Sequence, residues 1–236
     1  MTLSEIDHEF DILYNNIDSG AAPALNDYEK SVLLTKAQEE IVINYYNGAN
    51  ARMSSFESSE EIRRYLDSLI RTESLNQLSA STENGFNKYT YSKPEKLLFI
   101  LREEAIGSGE GCDNGRNLMV VPVSHETFNR VIRNPFKGPS DMKAVRLDNT
   151  ESSSVVFEVY SKKAIGEYRV VYLKKPEPIV LYQLPSGYSV DGVSQPSNSD
   201  APEAVMRKII NRAVELAKVA YIGDLGATLS INGRSQ

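Results

Sequence analysis

The sequence contains few of the residues from which most catalytic and metal sites are built. Of its 236 residues one is cysteine, two are histidine and none is tryptophan. A single cysteine, Cys112, excludes an internal disulfide framework and a zinc site made of cysteines. No cysteine or paired carboxylate stands at metal-ligand spacing from His8 or His125. The sequence therefore predicts no metal, no cofactor and no catalytic residue of the nucleophile–base type.

Long apolar runs and an excess of positive charge are also absent. No stretch approaches the roughly 20 apolar residues of a membrane-spanning helix, and the N-terminus lacks the pattern of a signal peptide, so we expect no membrane anchor. The formal net charge is −6, and the acidic excess lies in residues 1–95. Because nucleic-acid binding needs clustered cations, such a chain makes a poor autonomous nucleic-acid binder, although it could still line a surface that nucleic acid passes without sticking.

Three helices are predicted in the first third of the chain. Thr2 and Glu5 have the spacing of a capping box, as do Asn26 and Glu29 at the start of a second helix. A third, shorter helix is expected to begin near Ser58 or Ser59. Apolar residues at helical spacing mark one face of each helix, and each face needs a partner.

The middle of the chain is predicted to be rich in strands. Pro122 indicates an edge position or a bulge in one of them. Residues 125–133 predict one or two helical turns, and residues 164–166 predict a hairpin between the strands on either side. The short apolar or alternating runs that favour β-strands are residues 96–102, 118–123, 145–148, 155–160, 168–174 and 179–181.

The C-terminal segment predicts a long amphipathic helix followed by a tail. Small and apolar residues recur at helical spacing over residues 205–220, and Gly223 is expected to end the helix. The tail beyond it carries Leu225, Leu229 and Ile231. The alternation of Leu229 and Ile231 favours a strand that becomes ordered on a neighbouring sheet edge. We take these three residues as candidate interface residues.

These elements together predict an α+β protein. The N-terminal helices and the C-terminal helix are expected to form one bundle, with an antiparallel β-rich region inserted between them, because this arrangement buries the apolar faces. The predicted division is a helical part at 1–95, a β-rich part at 96–184, a linker at 185–200, and a helix with its tail at 201–236.

Residues 134–139 (NPFKGP) predict a rigid turn that carries one aromatic side chain. Two prolines and a glycine restrict the backbone, which suits Phe136 for display. We expect Phe136 to contact either the β core, which is slightly favoured, or an adjacent subunit. It is the fourth candidate interface residue.

Tyrosine is the abundant aromatic residue, with thirteen copies in the chain. A tyrosine packs well and keeps a polar tip, which suits both interfaces and half-buried positions. Both interpretations stay open for residues such as Tyr45, Tyr65 and Tyr188.

Four stretches together resemble structural proteins of crAss-like bacteriophages, which are short-tailed phages of Bacteroidales. They are residues 10–48, 121–148, 168–181 and 209–225. The resemblance implies a virion protein of the neck or tail, a ring or head-to-tail adaptor below the portal. It also implies a dodecamer that matches the symmetry of the portal, assembly in the bacterial host cytoplasm, and contacts with the portal, an adjacent ring, or tail-hub and tail proteins.

Two other functions stay open from the residues alone. One is a monomeric binding or regulatory module. The other is a phage-encoded hydrolase, which would have to use carboxylates, because two histidines and one cysteine supply no nucleophile–base–orienter set. The leading interpretation is a ring protein without catalysis that joins head to tail and lines the DNA passage.

Overall fold

A computed structural model of the chain describes residues 1–15, 24–47, 56–109, 115–151 and 154–233. Five helices and eight strands lie in these ranges, which confirms the mixed α+β class. The chain divides into a first unit, Met1–Leu69 with Pro176–Gln236, and a second unit, Ile70–Lys175. None of the described helices is both long enough and apolar enough to cross a membrane.

The helices begin and end close to their sequence signals. Both predicted capping boxes are present, because the side chains of Thr2 and Glu5, and of Asn26 and Glu29, exchange hydrogen bonds with backbone amides. The bounds are α1 (Leu3–Asn15), α2 (Asp27–Tyr46), α3 (Phe56–Leu69), α4 (His125–Ile132) and α5 (Glu203–Gly233).

The helix α5 is longer than the sequence predicts. It runs through Gly223 and Gly226 to Gly233, so the prediction that Gly223 ends the helix is wrong, as is the prediction of a strand-like tail. A glycine inside a helix costs only about 1 kcal/mol relative to alanine. The alanines and leucines around these glycines favour the helix enough to continue it.

In the first unit, α5 contacts α1, α2 and α3. The apolar stripe predicted from the sequence supplies the contact face. The residues of α5 that are almost completely buried are Val205, Met206, Ile209, Ile210, Ala213, Val214 and Ala217.

Residues 179–181 do not form the predicted strand, and they pack on α2 instead. The amide of Ile179 donates to Thr35 Oγ1 at 3.1 Å, and the amide of Leu181 donates to Ser31 Oγ at 3.1 Å. Ser31 and Thr35 are one helical turn apart on α2, so their hydroxyl oxygens can accept hydrogen bonds from both amides. In a sheet, a neighbouring strand would accept those hydrogen bonds instead. An isolated bridge between Val180 and Ser197 is the local strand-like pairing.

The second unit is one eight-stranded sheet. Three of its strands lie in residues 70–92, which the sequence analysis assigned to the helical part. The spatial order is β1-β8-β4-β5-β6-β7-β3-β2. The bounds are β1 (Ile70–Ser74), β2 (Gln77–Glu83), β3 (Phe86–Ser92), β4 (Leu97–Gly107), β5 (Asn117–Val123), β6 (Lys143–Glu151), β7 (Ser154–Ser161) and β8 (Ile165–Lys174).

Two features of the pairing differ from the sequence prediction. The predicted hairpin between β7 and β8 is wrong, because β7 pairs with β6 and β3 while β8 pairs with β4 and β1. The region is also not wholly antiparallel, since β5 and β6 are parallel and α4 lies in the connection between them. The described pairing of β5 with β4 stops at Met119, so Pro122 lies where β5 has an open edge, as predicted.

The sheet curls until its two end strands meet. The end strands β1 and β2 are consecutive in the chain, and two residues, Leu75 and Asn76, join them. The Leu75 amide donates to the Tyr168 carbonyl of β8 at 2.8 Å, and the Ser92 amide of β3 donates to the Asn76 carbonyl at 3.1 Å. The inner face of the curl is an apolar core that includes Tyr91, Phe157 and Val159, among others.

Candidate functional site

A buried ion pair lies inside the curled sheet. Arg146 Nε on β6 is 3.1 Å from Glu103 Oε1 on β4, and each side chain is less than 10 % exposed, at 7 % and 6 %. The hydroxyl of Tyr168 on β8 donates to Glu103 Oε2 at 3.0 Å. The guanidinium also lies 4.6 Å from the centre of the Phe157 ring and pairs with Asp148. The cluster therefore ties together four strands, β4, β6, β7 and β8.

Burial sets the protonation properties of this pair. Desolvation raises the pKa of the Glu103 carboxyl, and the charge of Arg146 opposes that rise. Desolvation, followed by the charge of Glu103, raises the pKa of Tyr168, so this phenol acts as a neutral hydrogen-bond donor. A buried pair of this kind depends on both partners, because removing one leaves an uncompensated charge.

A second polar cluster lies on the outer face of the same sheet. Lys88 Nζ is 3.1 Å from Glu83 Oε2 and 3.0 Å from Glu158 Oε1. The Tyr160 hydroxyl lies 3.0 Å from Glu158 Oε2 and 3.3 Å from Glu83 Oε2. Two carboxylates thus meet at one tyrosine, an arrangement that a carboxylate hydrolase would require.

The electrostatics of the outer cluster do not suit acid catalysis. Burial raises the pKa of Glu158, but hydrogen bonds from Asn149, Lys88 and Tyr160 outweigh it and lower that pKa below its ordinary value. A general acid needs a raised pKa. The ring of Tyr160 also packs against Phe128 of α4, with 4.9 Å between ring centres. Tyr160 therefore links the outer cluster to α4.

Few residues with metal-binding or nucleophilic chemistry come together. Among the residues that the structure describes, no three His, Cys, Asp or Glu side chains form a group that could hold a metal ion. His8 is exposed on α1, and His125 Nε2 lies 2.6 Å from the Asp148 carbonyl oxygen. Cys112 lies outside the described residues.

The turn after α4 displays Phe136. The Asn134 Oδ1 atom accepts hydrogen bonds from the amides of Phe136 at 2.9 Å and Lys137 at 3.2 Å. The Gly138 amide donates to the Asn134 carbonyl at 2.7 Å, and a Cβ at Gly138 would lie 2.9 Å from that oxygen, so only glycine fits. Phe136 is 91 % exposed, so the slightly favoured expectation that it contacts the β core is wrong for the single chain.

Two exposed methionines lie near this turn, Met119 on β5 and Met142 just before β6. The amide of Met119 on β5 donates to the carbonyl of Met142 at 2.9 Å, and their side chains are 62 % and 60 % exposed. Lys143 Nζ donates to the carbonyls of Phe136 at 3.2 Å and Lys137 at 2.6 Å, which fixes the turn to the start of β6. Three large apolar side chains are thereby exposed at one end of the β5–β6 pair, a feature that marks interaction sites.

An open aromatic pocket lies in the first unit. Its volume is about 370 Å³, and its lining includes Asp27, Tyr28, Leu184, Pro185 and Tyr188. The rings of Tyr28 and Tyr188 meet edge to face, with 5.0 Å between centres and 64° between planes. Leu184 is buried in a small apolar cluster beneath them. Tyr188 is among the tyrosines singled out from the sequence, and Tyr28 is not. No local sequence pattern indicates that these two residues meet.

The other candidate interface residues lie near the end of α5. The structure places Leu225, Leu229 and Ile231 within the helix, and Leu225 and Leu229 are four residues, or about one turn, apart. They lie in the first unit, whereas Phe136 lies in the second. The four candidates therefore belong to two separate parts of the molecule.

Comparisons with known proteins find relatives along the whole chain. The family described as phage tail ring protein 3/4 matches residues 1–230. A protein of Bacteroides phage crAss001 named ring protein 4/5 is 37% identical over 249 aligned positions that cover 100% of both chains. Ring protein 3 of the same phage is 36% identical over 224 positions, which cover 93% of this chain and 96% of that protein.

Proposed function

The chain belongs to the phage tail ring protein 3/4 family of crAss-like phages, and from that premise we propose that it forms one ring of the neck, between portal and tail. In this role it joins head to tail and lines the passage for DNA. The partners are further copies of the chain around the ring, and the portal, an adjacent ring, or tail-hub and tail proteins above and below it.

The end-to-end similarity to two ring proteins carries this proposal. The alignments cover 100% and 93% of the chain, so both units are shared with the relatives. Because the two relatives come from one phage and are similar to this chain at almost equal identity, we propose that neighbouring rings in the stack are built from homologous subunits. One face of the ring would then dock on a fold like its own.

The exposed turn of Phe136 supports self-association. A closed ring repeats one heterologous contact, so each subunit needs two different surfaces that fit each other. The turn of Phe136 and the end of α5 with Leu225, Leu229 and Ile231 provide apolar groups in separate units. We propose that these four residues lie in contacts between subunits, and that the helices of the first unit act as one bundle.

The charge of the chain suits the lining of a DNA passage. A net charge of −6, with the acidic excess in residues 1–95, repels phosphate rather than holding it. DNA that must leave the head rapidly is best served by a wall without clustered cations. We propose that the acidic first unit contributes to this wall.

The mass of the purified full chain tests the ring. Light scattering after size exclusion is expected to show a species of about twelve chains of 26.3 kDa each, and negative-stain images are expected to show rings. Density for the chain in images of the intact virion would then give its level in the neck. A chain that stays monomeric at high concentration, and that is absent from the neck of the virion, would contradict the proposal.

A further inference from the structure

The turn that carries Phe136 has the form of a rigid knob. Its backbone is fixed by Asn134, by Gly138 and by Lys143, while the Phe136 ring is 91 % exposed. A large aromatic side chain that is already held in place loses little conformational entropy on binding, which is why such residues act as anchors in interfaces. The complementary surface must be an apolar hollow that takes one ring.

We propose that Phe136 of one copy inserts into the open pocket of a second copy that Tyr28, Tyr188 and Leu184 line. This inference rests on the proposed ring and names the contact that closes it. The pocket of about 370 Å³ falls within the roughly 300–1,000 Å³ range of sites that enclose small ligands, so a phenyl ring fits. Tyr28 and Tyr188 offer ring faces and edges, and Leu184 offers an apolar floor.

The charges around the knob and the pocket are opposite. Lys137 follows Phe136 directly and is exposed, and Arg133 is exposed just before the turn. Asp27 lines the pocket and is also exposed. A positive rim around the knob and a carboxylate at the pocket steer the two surfaces together and fix their register.

The position of the two surfaces in the chain fits a ring. Phe136 lies in the second unit and the pocket lies in the first, so each copy carries the knob and the pocket on different parts of the chain. Repeated head to tail in one direction, this contact closes a ring, whereas a reciprocal exchange of the two knobs would stop at a dimer.

Photochemical cross-linking tests the contact directly. The full chain carries p-benzoylphenylalanine at position 136, which keeps an aromatic knob, and is mixed with unmodified chain labelled with ¹⁵N. Irradiation is expected to join position 136 to residues 26–28 or 183–188 of a different copy, as shown by cross-linked peptides that contain one labelled and one unlabelled half. When every chain carries p-benzoylphenylalanine at position 136, irradiation is expected to give cross-linked products of two, three and more copies.

A charge exchange provides an independent test. Lys137→Glu and Asp27→Lys are each expected to weaken association about tenfold or more, and the two substitutions in one chain are expected to restore it. Lys36→Glu, at an exposed position on α2, replaces Lys137→Glu in the matched control. Combined with Asp27→Lys in one chain, it should not restore association. Thermal unfolding of each variant checks that the fold is intact.

The outcomes separate this contact from the proposed function. Rings that form normally while position 136 cross-links to other residues, or that show no rescue by the charge exchange, overturn the contact and leave the ring in place. A wild-type chain that does not associate overturns both.

Discussion

Tyr168 donates its hydroxyl to Oε2 of Glu103 at 3.0 Å, between neighbouring strands on the inner side of the curled sheet. Arg146 occupies the other carboxylate oxygen, so Glu103 is held from two sides in an enclosed position. The inner core of the sheet is therefore fixed by polar contacts of defined geometry as well as by apolar packing, and this has a measurable consequence.

Replacing Arg146 is expected to destabilise the second unit strongly. Arg146→Met leaves the Glu103 carboxylate buried without its cation, which costs about 3–5 kcal/mol in the free energy of unfolding. The double variant with Glu103→Gln should recover part of that loss. Arg102→Met is the control, because the Arg102–Glu104 pair has an arginine that is 66 % exposed and should contribute less than about 1 kcal/mol. Equal losses for both arginines in denaturant titrations would contradict this account.

The outer cluster predicts a dependence of stability on pH. In the folded protein, burial is outweighed by hydrogen bonds from Asn149, Lys88 and Tyr160, which hold the pKa of Glu158 below its ordinary value. Its contribution to stability is therefore present above the ordinary pKa and is lost as pH falls through the lowered pKa. The difference in unfolding midpoint between the wild type and Glu158→Gln should be largest at neutral pH and shrink below about pH 4.5. The exposed substitution Glu126→Gln serves as the control, and a difference that grows as pH falls would refute the assignment.

The exposure of Phe136 predicts a separation of folding from assembly. Phe136→Ala should change the free energy of unfolding by no more than about 0.5 kcal/mol, because the side chain is 91 % exposed, while ring formation is lost or weakened. Gly138→Ala should also weaken assembly, since the new methyl group displaces the turn. Val155→Ala, at a position 43 % exposed on β7, is the control. A large drop in melting temperature for Phe136→Ala would show that Phe136 packs in the core of the folded chain.

The buried face of α5 predicts a large effect at Ile209. Ile209→Ala removes a side chain with 0 % exposure and should cost about 2–5 kcal/mol in the free energy of unfolding. Val219→Ala, on the same helix but 68 % exposed, should stay within about 0.5 kcal/mol. Similar losses at the two positions would show that the helix does not bury the face described.

The end of α5 predicts an effect of truncation on assembly. Deleting residues 225–236 should leave the melting behaviour of the monomer intact and lower its helical circular dichroism, because residues 225–233 are helical, while ring formation or docking becomes weaker. Deleting residues 234–236 is the control, since this deletion keeps all three candidate interface residues. Normal assembly of the longer deletion would remove Leu225, Leu229 and Ile231 from the candidate interface.

Elements with strong local signals could be predicted from the sequence. The capping boxes at Thr2 and Asn26 fixed two helix starts, and apolar runs located β4 to β8. The strands β1, β2 and β3 were missed, and the side chains of β1 and β2 are mostly exposed and carry no apolar pattern. One available signal was overlooked: Asn84 and Gly85 have φ of 55° and 81°, the backbone of a tight hairpin turn, and Asn-Gly is a strong sequence mark of such a turn.

The pairing of strands and the candidate site depend on contacts between distant parts of the chain. Adjacent β7 and β8 were predicted to pair because hairpins join most neighbouring strands, yet each finds partners from elsewhere in the sheet. The prolines and the glycine of residues 134–139 predict the turn. The exposure of the Phe136 side chain cannot be predicted in the same way, because it depends on which distant parts of the chain pack over the turn. The Tyr28–Tyr188 pocket joins residues 160 positions apart in the sequence and has no local signature.

The division of the chain orders its folding on the ribosome. All eight strands lie between Ile70 and Lys174, so the second unit, including the closure at Leu75 and Asn76, can be completed as soon as β8 has emerged. The buried faces of α1 and α2 must wait longer for their partner, because α5 follows β8 in the chain. The order of the elements therefore lets the sheet fold before the N-terminal helices find α5.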